Sequence, residues 1–293
     1  MSTEDIDPRF RDLDLWSDAD ALAALYQDQV AGLAAVAPAL PAIARAVADA
    51  APRLKRGGRL IYVGAGTSAR IGVQDGAELP PTFNWPRAQL AFVIAGGESA
   101  LINAAENAED SGEDGAARVD ALGIGPDDVV IGVAASGNTP FTVAAVWRAR
   151  ERGAMTMGVS NNAGAALLSA CDHPVLVQTG AEAVAGSTRL KAGTAQKIVL
   201  NLFSTQLMVR LNKTYAGLMV DMRAGNAKLR ERSVGMVMRI TGAARDVAAR
   251  AVADADGEVK LAALLARGVP QENAAALLTK HDGNLRLALA ETR

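Results

Sequence analysis

The chain has 293 residues, half of them apolar and 21% charged, so it can bury a sizeable core and is not expected to be disordered. Lys and Arg number 30 against 32 Asp and Glu, which leaves a net charge of -2. This balance argues against a nucleic acid or an anionic membrane as a partner held mainly by charge. One Cys and two His exclude an internal disulfide and nearly exclude a Cys/His metal site, which fits a reducing cytoplasm.

The first 17 residues are predicted to form an irregular, acidic arm that lacks the basic-then-apolar layout of a signal peptide. Ser17 or Asp18 can cap a helix that extends to about residue 36, and a second helical pattern covers residues 41–54. The longest apolar stretch, residues 30–44, is shorter than the ~18 residues of a membrane span and contains two prolines. We therefore expect a cytoplasmic protein with no membrane partner.

Five short β-rich runs alternate with Ala-rich helical stretches in the central part of the chain. They cover residues 59–63, 90–95, 128–134, 154–160 and 174–178. This alternation predicts βαβ units and an α/β fold with a doubly wound, mostly parallel five-stranded sheet. The nearly continuous apolar character of the runs fits strands that are covered on both faces.

From residue 194 onwards the β-rich runs stop and only helical patterns follow. One long helix is predicted over residues 194–211 and another over 225–253, and three short helical pieces follow, broken at 268–270 and 281–283. The predicted organisation has four parts: an N-terminal helical extension (1–49), the sheet domain (50–212), a long helical segment (213–255) and a small C-terminal three-helix domain (256–293).

The Gly-rich sequence GAGTSAR follows the first predicted strand and opens a helix. Backbone N–H groups in such a turn can approach an anion at the helix N-terminus, where the helix dipole helps. The spacing also matches a dinucleotide-binding fingerprint, but no acidic residue lies ~20 positions further on at the end of a second strand. The hydroxyls of Thr67 and Ser68, next to Gly66, suit a terminal phosphate better than a pyrophosphate. A plain tight turn remains the alternative.

The sequence AASGNTP repeats this design after the third predicted strand. Ser136, Gly137, Asn138 and Thr139 supply hydrogen-bond donors, and Pro140 suits the first helical turn. In a sheet ordered 2-1-3-4-5, the ends of strands one and three flank the switch point at which ligands bind. The two loops together therefore predict a joint phosphate-binding pocket.

A third polar turn, GSTRLKAGTAQK, follows the fifth predicted strand and precedes a helix. It contains the hydroxyls of Ser187 and Thr188 and the cations of Arg189 and Lys191, which could bind an anionic substrate. From spacing alone, a capped helix entrance with surface cations is an equal alternative.

Carboxylates accompany these loops in two places. Glu78 lies in DGAELPPT, late in the helix that follows the first loop, where two prolines are expected to end the helix. Glu106, Glu109 and Asp110 lie in AAENAED, beyond the second predicted strand. An isolated Glu is usually a solvated surface residue. Only the neighbouring phosphate loops make these carboxylates candidates for an acid/base pair.

In this order, the motifs resemble the sugar-isomerase (SIS) phosphosugar-binding domain and, within it, the N-acetylmuramic acid 6-phosphate etherase family. The resemblance extends from about residue 57 to residue 221 and rests on GRLIYVGAGTSAR, DGAELPPT, IAGG, AENAED, AASGNTP, GSTRLKAGTAQK and LMVDM. The chain departs from the usual family pattern where Ala69 replaces a Gly, Gly76 a Ser and Leu79 a Cys, and where Ala181 stands in place of a common Pro. None of these departures removes a carboxylate or a loop hydroxyl.

The resemblance implies a flavodoxin-like three-layer sandwich and a carbon–oxygen lyase that cleaves the D-lactyl ether of a phosphosugar, with no cofactor and no metal. It implies that the two acid/base glutamates of the family fall on Glu78 and Glu109, and that the site is completed near the subunit interface of a homodimer. Residues 267–289 look like a ubiquitin-associated-type (UBA-like) three-helix module. Two rival functions share the SIS loops: a phosphosugar isomerase, and a non-catalytic phosphosugar-binding regulator.

Overall fold

The computed structural model describes residues 1–103, 105, 107–222 and 227–292. Glu106, one of the carboxylates singled out above, lies outside the described residues. The chain folds as two compact units: the first contains residues 1–77 and 88–207, and the second contains residues 78–87 and 208–293. The four-part division drawn from the sequence stays a prediction, and the N-terminal helical extension lies in the first unit together with the sheet.

Helices precede, separate and follow the strands along the chain. In chain order, the elements are α1 (Asp18–Ala34), α2 (Leu40–Lys55), β1 (Leu60–Gly64), α3 (Gly66–Phe83), β2 (Leu90–Ile94), α4 (Gly112–Ala121), β3 (Val129–Ala134), α5 (Pro140–Glu151), β4 (Met155–Ser160), α6 (Ala166–Ala170), β5 (His173–Leu176), α7 (Lys191–Arg210), β6 (Thr214–Tyr215), β7 (Leu218–Met219), α8 (Ala227–Thr241), α9 (Arg245–Asp254), α10 (Val259–Ala266), α11 (Gln271–Lys280) and α12 (Leu285–Ala290).

The five strands of the first unit form one sheet in the order β2-β1-β3-β4-β5, and every pair is parallel. This confirms the predicted α/β class and strand order. All residues of β1, β3 and β4 are buried, as expected for strands covered by helices on both faces. Because β1 pairs with β3, with Gly64 opposite Val133, the loops that follow these two strands emerge side by side.

The N-terminal segment forms two helices separated by a 3-10 turn over Ala37–Ala39. Ser17 caps α1 as predicted, because its side chain accepts a hydrogen bond from the Asp20 N–H. Residues Asp18–Lys55 contain an 18-residue window of mean hydropathy 1.7, apolar enough by length and composition alone to cross a membrane, and 33% of that window is buried inside the protein. Within residues 18–55, α2 contributes more buried residues than α1, and it packs against β3, β4 and β5.

Two helix predictions were wrong in detail. The single helix expected over residues 225–253 is two helices, α8 and α9, because Gly242 adopts a φ of +74° and interrupts the backbone between them. The prolines Pro80 and Pro81 do not end α3, which continues to Phe83 with both prolines in its last turn.

The expectation that only helices follow residue 194 was wrong, because β6 and β7 form a short antiparallel hairpin. The second unit has its own apolar core, built from residues of this hairpin and of α8 to α12. Near it, the Asp221 carboxylate pairs with the Lys260 ammonium at 2.6 Å and with that of Lys213. The three short C-terminal helices form as predicted, with breaks between α10, α11 and α12. Their likeness to a UBA module stays a prediction.

Candidate functional site

A cavity of about 510 Å³ lies at the carboxyl ends of β1 and β3. Its lining combines the first two polar loops, one residue of the third, two acidic residues that precede α4 and one residue of the N-terminal arm. The lining residues are Glu4, Ala65, Gly66, Thr67, Ser68, Glu109, Asp110, Val133, Ala134, Ala135, Ser136, Asn138, Thr139, Pro140 and Thr188. The structure therefore brings together most of the residues singled out from the sequence.

The first loop presents the N-terminus of α3 to this cavity. Gly66 has a φ of +52°, which turns the chain directly from β1 into the helix. The Ser68 hydroxyl donates to Gln196 Oε1 at 2.9 Å, and Gln196 Nε2 donates to Asn161 Oδ1 at 2.9 Å. Since the Ser68 proton is used in this buried chain of hydrogen bonds, an anion at this loop would depend more on backbone N–H groups.

The second loop leaves its hydroxyls turned towards the cavity. Ser136 Oγ accepts a hydrogen bond from the Asn138 N–H at 3.2 Å, an arrangement in which its own proton can be donated to a ligand. Thr139 precedes α5, and its side chain makes no capping hydrogen bond within the described residues. Gly137 has a φ of +69°, and a Cβ there would overlap Ser160 Oγ, so the close turn requires glycine.

The third loop contributes less to the cavity than predicted. Thr188 lines it, whereas Ser187 and Arg189 are not among its lining residues. The loop folds on itself, because the Thr188 N–H donates to Gly186 O and the Gly193 N–H donates to Thr188 O, both at 2.9 Å. Arg189 is exposed to solvent.

Lys191 lies outside the cavity lining, in a buried ion pair. Its Nζ is 2.7 Å from Asp28 Oδ1, and the two side chains are 3% and 2% exposed. At the same place, the carboxylate of Glu182 accepts the backbone N–H groups of Lys191 and Ala192 at the start of α7. Burial raises the pKa of Glu182 above its ordinary value. Of the two alternatives for this turn, these contacts favour the capped helix entrance, although Lys191 is a buried cation and not the surface cation that was expected.

The two candidate catalytic carboxylates are both exposed and differ in whether they line the cavity. Glu109 is exposed in a 3-10 turn over Ala108–Asp110 and, with Asp110, lines the cavity beside the first two polar loops. Glu78 lies on α3, is exposed, and is not among the residues that line the cavity. Within one chain, therefore, the cavity contains Glu109 but not its predicted partner.

The cavity holds acidic and neutral groups but, among its described lining residues, no Lys or Arg. Three carboxylates line it, those of Glu4, Glu109 and Asp110. A phosphate in this cavity would therefore be held by hydroxyls, amide groups and the N-terminal ends of α3 and α5, where the helix dipole favours an anion. With neutral donors holding the phosphate, no cation among the described lining residues neutralises the carboxylates, which stay available for other contacts.

Two features of the region were missed from the sequence. Asp75, on α3, is buried and accepts hydrogen bonds from Tyr62 Oη at 2.7 Å, Asn201 Nδ2 at 2.6 Å and Ser204 Oγ at 3.1 Å. Burial raises its pKa, although these hydrogen bonds oppose the shift. The other missed feature is Glu4, which sequence reasoning left in an irregular arm. The sequence signal for Asp75 was its position three residues before Glu78, and the signal for Glu4 was its place in a short acidic arm.

A larger groove of about 760 Å³ lies along α4 and α5 and shares only Asn138 and Pro140 with the cavity. It contains the half-exposed ring of Trp147. The groove contains neither the first loop nor Glu109, so the smaller cavity is the better candidate for the site.

Comparison with known proteins identifies the relatives of this chain. Residues 42–149 match the model of the glucokinase regulatory protein N-terminal SIS domain. A phosphoheptose isomerase from Francisella tularensis superposes with a TM-score of 0.52 at 20% identity, covering 66% of this chain and 98% of that one. This likeness concerns the fold alone.

The full-length relatives are more specific. The N-acetylmuramic acid 6-phosphate etherase of Deinococcus radiodurans is 49% identical over 290 residues, which cover 99% of this chain and 95% of that protein. The etherase of Rubrobacter xylanophilus is 48% identical over 294 residues, covering 100% and 97%. The chain belongs to the N-acetylmuramic acid 6-phosphate etherase family. Membership of this etherase family confirms the resemblance noted in the sequence motifs.

Proposed function

We propose that this protein cleaves the D-lactyl ether of N-acetylmuramic acid 6-phosphate and releases N-acetylglucosamine 6-phosphate and D-lactate. The observation that carries the proposal is its 49% identity to an etherase over nearly the whole of both chains. The cavity beside β1 and β3 supports it, because its donors suit a phosphate and its carboxylates suit acid/base chemistry. The reaction would serve the recycling of cell-wall amino sugars in the cytoplasm.

The chemistry explains why carboxylates suffice. An ether is inert because an unprotonated alkoxide leaves poorly and because the closed sugar ring has no acidic proton nearby. Opening the ring exposes an aldehyde at C1, which makes the C2 proton acidic. The lactyl oxygen on C3 then lies β to the developing carbanion, so a base at C2 and an acid at that oxygen together drive the elimination. Water adds back at C3 of the unsaturated aldehyde.

We assign the base at C2 to Glu109 and the acid at the lactyl oxygen to Glu78. The position of Glu109 on the cavity wall supports the first assignment. Glu78 gives its proton to the ether oxygen, which leaves as the hydroxyl of D-lactate. The ionised Glu78 then takes a proton from the water that adds to C3, and Glu109 returns a proton to C2. The 6-phosphate is proposed to lie on the two Gly-containing loops, within reach of Ser136 and Thr139.

A second copy of the chain is proposed to supply Glu78. The support is that Glu78 is exposed and is not among the residues that line the cavity of its own chain. A homodimer is also supported by an apolar stripe on α1, whose spacing places its members on one face. Its side chains are Leu22, Tyr26, Val30 and Leu33, which are 66%, 66%, 40% and 53% exposed.

The first test is incubation with N-acetylmuramic acid 6-phosphate and an enzymatic assay for D-lactate. Stoichiometric D-lactate and N-acetylglucosamine 6-phosphate are expected. Turnover of fructose 6-phosphate without lactate would instead indicate an SIS isomerase. Binding of phosphosugars without turnover would indicate a regulator, the function named by the matching SIS-domain model.

The second test is subunit complementation between Glu78→Gln and Glu109→Gln. Each variant alone is expected to be inactive. If Glu78 acts across the interface, each mixed dimer has one intact site, so an equal mixture should recover about a quarter of the wild-type activity. Glu113→Gln, a nearby exposed Glu outside the cavity, is the matched control and should stay active. No recovery in verified mixed dimers would contradict the shared site, and a monomeric mass would contradict the dimer.

A further inference from the structure

The N-terminal arm reaches the cavity and is held there by a buried residue. Thr3 is fully buried. Its N–H donates to Asn162 Oδ1 at 3.0 Å, and Asn162 Nδ2 donates to Thr3 Oγ1 at 2.8 Å. The same Nδ2 is 3.3 Å from Ala135 O, the residue immediately before Ser136. The arm is therefore joined, through one side chain, to the second phosphate loop.

This attachment places Glu4 at the cavity wall. Glu4 is among the lining residues, together with the first two loops and Thr188. A Cβ on Gly186 would lie 3.8 Å from Glu4 Oε2, so Glu4 also stands against the start of the third loop. Gly186 has a φ of +72°, a conformation that other residues adopt at a cost.

The arm is also held on the far side of Glu4. Asp7 is buried and pairs with the Arg9 guanidinium at 2.6 Å, and the same guanidinium lies 3.7 Å from Asp28 Oδ1. Asp28 in turn pairs with Lys191 at the start of α7. With Thr3 and Arg9 both attached to the body of the first unit, the segment that carries Glu4 has a defined position beside the cavity.

The chemistry of Glu4 restricts what it can bind. An ionised carboxylate only accepts hydrogen bonds, and a phosphate dianion does the same, so the two repel each other. The complement of Glu4 is a donor, which in a phosphosugar means a hydroxyl or an amide N–H of the sugar part. We propose that Glu4, presented by the N-terminal arm, is a substrate-binding residue that accepts a hydrogen bond from the sugar part of the phosphosugar. The proposal rests on the proposed function.

The test is a graded series at Glu4. Glu4→Ala removes the acceptor, and KM for D-lactate release is expected to rise by about 10- to 100-fold with little change in kcat, the signature of lost ground-state binding. Glu4→Gln keeps a neutral carbonyl acceptor, so its KM should lie between those of the wild type and Glu4→Ala. The matched control is Asp14→Asn, an exposed carboxylate of the same arm outside the cavity, which should leave KM unchanged.

Titration calorimetry separates contact with the sugar from contact with the phosphate. Glu4→Ala should weaken binding of N-acetylglucosamine 6-phosphate, whereas binding of inorganic phosphate should stay the same or become tighter, because a like charge has been removed. Equal weakening of both ligands, or no change in either Kd or KM, would overturn the proposal. Thr3→Val removes the hydroxyl that accepts a hydrogen bond from Asn162 Nδ2 at 2.8 Å and donates one to Glu4 Oε1 at 3.1 Å. It should weaken sugar phosphate binding in the same direction, because it loosens both the arm and the Glu4 carboxylate. If the wild type binds the sugar phosphate but releases no D-lactate, the proposed function fails, and this calorimetric comparison still decides the role of Glu4.

Discussion

Substitution of Lys191 separates a structural role from a substrate-binding role. In Lys191→Met the Asp28 carboxylate stays buried, 2% exposed, without the ammonium that lies 2.7 Å away in the native protein. The second oxygen, Oδ2, already finds no hydrogen-bond partner within the described residues. Removing one partner of a buried pair costs about 3–5 kcal/mol. The Arg9 guanidinium at 3.7 Å offsets part of this loss, so we expect a value near the lower end of the range.

The assay is a double-mutant cycle on the free energy of unfolding. Lys191→Met and Asp28→Leu are each expected to destabilise the protein, and the double variant should lose less than the sum because no unpaired charge remains buried. The control is Arg210→Met, which removes an exposed cation from the same helix and should change stability by no more than about 0.5 kcal/mol. An additive cycle would refute the buried ion pair. A Lys191→Met protein with unchanged stability and a raised KM would also refute it and would indicate that Lys191 binds the substrate.

Three further predictions concern the cavity and its support. Ser136→Ala should raise KM in the lactate assay by an amount equivalent to about 1.5–3 kcal/mol, and Ser68→Ala should raise it less, because the Ser68 proton is already donated to Gln196. Gly137→Ala should lower both stability and activity, since its Cβ overlaps Ser160 at a positive φ; a normal melting temperature would contradict this. The pKa of Asp75 is raised above 3.8 in the folded protein, so its contribution to stability is fully present below pH 3.8 and is lost as the pH rises through the raised pKa. Asp75→Asn should remove that pH dependence from urea unfolding curves, and an unchanged dependence would exclude Asp75 as its source.

The sheet and the first two loops could be predicted because they depend on local pattern. Five apolar runs, each followed by a helical stretch, leave few alternatives to a parallel sheet. Once β1 and β3 are neighbours, loops of similar composition at their carboxyl ends must lie side by side. The structure confirms this neighbourhood, because Gly64 at the end of β1 pairs with Val133 near the end of β3.

The helical region after the sheet was harder to divide. A single Gly within a helical pattern costs only about 1 kcal/mol, so Gly242 did not by itself predict a break between α8 and α9. Likewise, Pro80 and Pro81 fit inside the last turn of α3. Whether such residues end a helix depends on what the next segment packs against, and local spacing does not contain that information.

The roles of charged residues could not be predicted because their partners are distant in sequence. Lys191 looked like a ligand for an anion, but its ammonium pairs with a carboxylate 163 residues away. Thr3 contacts Asn162 across 159 residues, which is why Glu4 did not stand out from the arm. A polar turn of the same composition can bind a ligand or cap the start of a helix. Only the residue that it contacts in the folded protein distinguishes the two roles.

These long-range contacts join buried ion pairs outside the cavity to the segments that line it. Asp28 lies between the Arg9 guanidinium of the arm and the Lys191 ammonium at the start of α7. One carboxylate thus stabilises both the segment that presents Glu4 and the turn that presents Thr188. Because a phosphate would be held here by neutral donors rather than by a cation, affinity depends on how well those donors are positioned. Lys191 therefore contributes to the cavity by holding two of its walls, without lining it.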